Sequence, residues 1–138
     1  MNPVLLDTGP IVALLDHTDG FHDLCADAIA NVGAPLVTCE AVIAESCHLL
    51  RRLAGAPEAV LENVASGIFR IPLQLSACAR AVSDILRKYR RRETDLADAC
   101  LIHLAEELGV GDILTLDSDF HFYRWSRDNP FHLLIPLA

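Results

Sequence analysis

Basic residues are scarce in this chain. Eleven Lys and Arg stand against 19 Asp and Glu, a formal net charge of −8 at pH 7. That balance excludes a nonspecific electrostatic grip on nucleic acid by the surface as a whole. Long apolar runs are missing too. None approaches the ~18 residues of a membrane span, and "MNPVLL" meets Asp7 without the basic flank and apolar stretch of a signal peptide. The expectation is a cytoplasmic protein with no membrane attachment. The five cysteines are odd in number and form no CxxC, which argues against a disulfide framework and for small buried thiols. Cys100 and His103 have an i, i+3 spacing that makes half a zinc site, but no second half matches it. No internal repeat, linker or low-complexity segment is present. With 52% hydrophobic and 22% charged residues, the composition is that of a folded chain with a substantial core, and 1–138 reads as one domain.

What is present is an alternation of short apolar strands and helices. Strands are expected at 3–6, 35–38, 68–73, 112–116 and 132–137. Helices are expected at 10–16, 21–32, 39–54 with Gly55 as its stop, 57–67, 76–92 and from Thr94 or Asp95 to Gly109. Strands separated by helices require crossovers, so the fold class is α/β with a mainly parallel sheet covered on both faces. In such sheets ligands bind beyond the carboxyl ends of the strands. Asp7 follows the first strand and Asp117 follows "ILTL". If the two strands are neighbours, these acids meet.

Each acid has a structural reading beside a functional one. Asp7, before "TGP", can cap the next helix. Glu45 lies just outside the apolar arc of its helix, beside Ala41 and Arg52, as an ordinary exposed Glu would, and also where a side chain reaches into a cleft. Asp98 stands one turn into "ETDLADACLIHLAEE", a helix apolar on most sides. With Asp95 it makes a plausible capping pair, but a buried carboxylate needs a cation or several donors nearby. Asp117 and Asp119 in "LTLDSDF" suit a turn, and an extended chain would point both to one side. Taken together, several segments deliver a carboxylate to one sheet edge, where unpaired charges repel. A hard divalent cation, Mg²⁺ or Mn²⁺, removes that objection through oxygen ligands and retained waters. It also inverts the local field, so that an acidic protein can approach a phosphodiester. "RKYRRR" (87–92) holds five of the 11 basic residues. It reads either as the solvated end of a helix or as a phosphate-contacting patch in which Arg90, Arg91 and Arg92 meet nucleic acid.

On "LLDTGPIVALLD", "TCEAVIAESCHLL", "DLADACLIHLAEELG" and "ILTLDSDF", in that order, the chain resembles the PIN-domain proteins. It is most similar to the short ribonuclease toxins of bacterial toxin–antitoxin pairs, the VapC type. The resemblance implies a three-layer α/β/α sandwich and a metal-dependent endoribonuclease. The family's acids fall on Asp7, Glu45, Asp98 and Asp117, with Asp119 auxiliary and Thr8 and Thr115 at polar positions beside them. Asp7, Asp98 and Asp117 would coordinate Mg²⁺ or Mn²⁺, and Glu45 would help hold and deprotonate the attacking water. RNA is the implied substrate, a cognate antitoxin the implied partner and a homodimer the implied assembly. Two rivals stand beside this reading. A noncatalytic binding module would more naturally lack one of the acids. A phosphatase of the haloacid-dehalogenase type wants a second Asp two residues after the first, where this chain has Gly9.

Overall fold

The computed structural model describes residues 2–137. The elements run β1 (Val4–Leu6), α1 (Thr8–Leu15), α2 (His22–Asn31), β2 (Leu36–Val37), α3 (Glu40–Leu49), α4 (Ala56–Ala65), β3 (Phe69–Arg70), α5 (Leu75–Lys88), α6 (Leu96–Leu108), β4 (Asp112–Leu114), β5 (Arg124–Trp125), β6 (Asn129–Pro130) and β7 (His132–Leu133). Short 3₁₀ turns at Arg90–Arg92 and Ser118–His121 link α5 to α6 and β4 to β5. Five strands form one sheet in the order β3-β2-β1-β4-β7, parallel throughout; β5 and β6 make a separate antiparallel hairpin.

The strand order explains the layers. The chain steps outward from β1 to β2 to β3, then returns past β1 to β4. Right-handed crossovers therefore put α1 to α4 on one face and α5 and α6 on the other. The sheet between them is apolar on both sides: Leu5, Leu6, Ile113 and Leu114 are buried together with Ile11, Val42, Leu101 and Ile102. Such burial is worth roughly 1.5–3 kcal/mol per large aliphatic side chain. Among the described residues no helix is long and apolar enough to cross a membrane.

Three boundaries differ from those expected. The first helix begins at Thr8 rather than residue 10, because Asp7 caps it. The third helix stops at Leu49 rather than 54. Gly55, at φ +83°, does not end that helix but opens α4, with Pro57 in the first turn. The "RKYRRR" helix breaks at Tyr89, whose ring is buried and whose hydroxyl accepts from the Arg124 amide at 3.0 Å. The terminal strands are also shorter than their apolar runs suggest.

Candidate active site

β1 and β4 are neighbours, with Leu5 paired to Ile113 and Leu6 to Leu114. Their ends therefore emerge side by side. The Asp7 amide donates to the Leu114 carbonyl at 3.0 Å, which continues the ladder by one bond and holds Asp7 against the β4 end. Gly9 lets the first turn of α1 close on the same place, since a Cβ there would lie 3.2 Å from the Leu116 side chain. Asp7 caps α1 and also ties that helix start to the end of β4. One carboxylate oxygen accepts from the Thr8 amide at 2.8 Å as a helix cap; the other accepts from the Thr115 hydroxyl at 2.7 Å. Thr115 in turn accepts from the Asp117 amide at 3.0 Å. A single hydroxyl thus spaces the acids of two strands.

Asp98 comes from the opposite side. Asp95 is the N-cap of α6 and accepts the Asp98 amide at 2.9 Å, so the extra acid has a structural task. The Asp98 carboxylate, only 9% exposed, accepts from the Tyr123 hydroxyl at 3.1 Å. Asp7, Asp98, Asp117, Asp95 and the exposed Glu45 line one cleft of about 530 Å³, together with Thr8, Ser118 and Asp19. Their fields overlap. Burial, reinforced by the charges of Asp117 and Glu45, raises the Asp7 carboxyl to about 6 despite its two hydrogen bonds. Burial, then the charges of Asp7, Asp95 and Asp117, raises Asp98 to about 8.

Asp119 does not share this cleft. The chain is not extended past Asp117 but turns into the 3₁₀ segment Ser118–His121, where the Asp119 amide donates to Asp117 at 2.9 Å. That turn swings the Asp119 side chain toward Arg92, 3.2 Å from its guanidinium. The expectation that both acids point one way fails for this reason, and Asp119 is not among the cleft-lining residues. Arg90, Arg91 and Arg92 are all exposed and border a separate groove. Two participants escaped sequence reasoning. Tyr123 lay in the "HFYRW" aromatic run, with nothing local to tie it to Asp98. Asp19 sat in "HTDG" and read as a turn residue.

The PIN domain family model matches residues 4–125. The chain belongs to the PIN domain family. Ribonuclease VapC26 of Mycobacterium tuberculosis is 28% identical over 116 residues, which cover 83% of this chain and 86% of that protein. The crystal structure of Mycobacterium tuberculosis VapC20, a sarcin-ricin loop cleaving toxin, superposes with a TM-score of 0.76 at 21% identity, covering 84% of this chain and 91% of that one. Chain order and sheet agree with a VapC-type PIN fold.

PIN proteins of this type imply a divalent cation, and the cleft suits one chemically. Its polar lining is oxygen: carboxylates and hydroxyls, with no Lys or Arg among the lining residues. The Thr8 hydroxyl is buried in it with no hydrogen-bond partner, a cost that an incoming water or ion would relieve. Among the described residues no three acids, cysteines or histidines close into a tight cage. Mg²⁺ does not require one, because it keeps several waters and takes one or two carboxylates directly.

Proposed function

We infer that this PIN protein is a divalent-metal-dependent endoribonuclease of the VapC toxin type, acting on cytoplasmic RNA and held in check by a cognate antitoxin. The observation that carries the reading is the convergence of Asp7, Asp98, Asp117 and Glu45 from four segments on one cleft without a basic neighbour. Similarity to VapC26, named a ribonuclease, supports the substrate class. All four acids being in place disfavours a noncatalytic module.

Asp7, Asp98 and Asp117 would hold Mg²⁺ or Mn²⁺, directly or through water. When bound, such an ion supplies Lewis-acid activation of water and neutralises charge at the leaving oxygen. Thr115 fixes the Asp7 carboxylate and the Asp117 backbone relative to one another, and Tyr123 fixes Asp98. Glu45, at the exposed side of the cleft, orients the attacking water and takes its proton. The water oxygen bonds to phosphorus in line as the bond from phosphorus to the 3′-oxygen breaks, and the departing 3′-oxygen takes a proton from solvent water. The products are a 3′-hydroxyl and a 5′-phosphate.

Single-turnover cleavage of RNA at saturating Mn²⁺ tests the assignment. Asp117→Asn, which keeps size and removes charge, should abolish most metal-dependent cleavage. Asp119→Asn, outside the cleft, should retain a measurable fraction. Equal activity of both variants with the parent would remove the metal site from where we put it.

A further inference from the structure

The basic run is not used by the chemistry above. It lines a groove of about 620 Å³ whose floor includes Tyr89 and Phe122. Phe122 is 48% exposed, and it differs from the chain's other exposed apolar side chains in lying among the basic residues of this groove. The Arg92 guanidinium lies 3.4 Å from the centre of the Phe122 ring and is tethered by Asp119 at 3.2 Å. The Tyr89 ring meets Phe122 edge-on with centroids 6.1 Å apart, and the Lys88 ammonium sits 5.2 Å from the centre of the Tyr89 ring. Planar, cationic and aromatic surfaces therefore alternate along one groove in a protein whose net charge is −8. The groove is also joined to the cleft by backbone. Asp117 lines the cleft, Phe122 lines the groove, and the intervening turn spans roughly 10 Å at 3₁₀ rise. Neighbouring side chains face opposite ways: Phe122 outward, Tyr123 inward to Asp98.

We propose that this groove is a subsite for an unpaired nucleotide flanking the scissile phosphate, with its base stacked on the Phe122–Arg92 pair and its phosphates met by Lys88, Arg90 and Arg91. The proposal rests on the ribonuclease reading for the place of the scissile bond, but the binding it describes does not depend on cleavage. Aromatic stacking tolerates any base and needs that base out of a duplex. Local positive charge supplies the phosphate attraction that the whole surface lacks. An acidic peptide would use the cations but has no need of the half-exposed Phe122 ring or of the flat guanidinium stacked on it.

The test uses the full chain in EDTA, so that binding is read without turnover, and a short single-stranded RNA carrying 2-aminopurine. The parent protein should quench the probe and bind it more tightly than the same sequence as a duplex. Phe122→Leu keeps an apolar side chain at an exposed position. It should lose the quench and weaken binding about 10-fold, within the usual range for one stacked base, with the salt dependence of binding unchanged. Arg90→Gln with Arg91→Gln should flatten the salt dependence while keeping the quench. Asp117→Asn should bind and quench like the parent while failing to cleave in Mn²⁺. Unchanged affinity and quench in Phe122→Leu, with its melting temperature intact, overturns the subsite. Equal binding of duplex, or displacement by poly-glutamate with no RNA quench at all, also overturns it. If the parent quenches as expected but never cleaves in Mn²⁺, the ribonuclease reading fails and the binding groove stands. If cleavage is robust and Phe122→Leu is indistinguishable from the parent, the reverse holds.

Discussion

At the scale of single residues, the site depends on hydroxyls as much as on carboxylates. Tyr123 is fully buried, donates to Asp98 and shares a hydrogen bond of 3.0 Å with Thr94. It acts through Asp98, not on RNA. Tyr123→Phe removes that donor and leaves the ring packed edge-on against Tyr89 and Phe120. Stability should fall by only about 1 kcal/mol. Cleavage should fall roughly 10-fold through a misplaced Asp98. A purely structural Tyr123 would lower the melting temperature without raising the Mn²⁺ concentration needed for half-maximal rate; we expect that concentration to rise. Titrating Mn²⁺ in single-turnover assays separates the two. Asp7, Asp98 and Asp117 could be singled out in the sequence because each stands just after a strand or at a helix start, positions that local pattern reveals; Glu45, in the middle of α3, reads locally as an ordinary exposed residue and was singled out by the family resemblance. Tyr123, Thr115's bridging and Asp19 were only partly legible or not at all. Their partners lie 25 and 108 residues away for the first two, and no local periodicity encodes such a pairing.

At the scale of elements, α6 shows how a cap and a site coexist. Asp95 accepts the Asp98 amide yet adds a like charge beside a carboxyl already raised. The two effects have opposite signs and can be separated by substitution. Asp95→Ala should cost about 1 kcal/mol through loss of the cap. Asp95→Ser keeps an accepting oxygen and removes the charge, so its melting temperature should equal or exceed the parent's in EDTA. Thermal melts of both variants check this, and a Ser variant as unstable as the Ala variant would mean that the charge itself holds the helix start. The alternation of strands and helices was readable from apolar runs and turn residues, and so was the parallel sheet. Boundaries were less so. Leu50 is buried and continues the apolar pattern of α3, yet it belongs to the turn after that helix. Tyr89 looked like one more helical residue, but its core contacts end α5 and set the basic residues after it in a 3₁₀ turn. In both places tertiary packing overrode periodicity.

At the scale of the molecule, the acidic cleft makes the metal-free protein store protons. The unfolded chain releases carboxyl protons near 3.8, while folding raises Asp7 to about 6 and Asp98 to about 8. Between those values the folded state binds more protons, so the stability these two carboxyls contribute is full below about pH 4 and is lost as pH rises through the two folded values. For Asp7 alone the loss is about 3 kcal/mol. Melting temperature in EDTA should therefore drop from about pH 5 to about pH 8, and saturating Mn²⁺ should flatten that slope by stabilising the ionised acids. A slope that is the same with and without Mn²⁺ would detach the titrating acids from the metal. The sheet carries a different consequence. Its outer strands, β3 and β7, are two residues each, and Pro72 and Pro136 follow soon after them. A two-residue border with a proline close behind offers a neighbouring molecule almost no ladder to extend. The main sheet is thus nearly closed to growth along its hydrogen-bonding direction, and a neighbour that meets its borders must do so through side chains rather than an extended ladder.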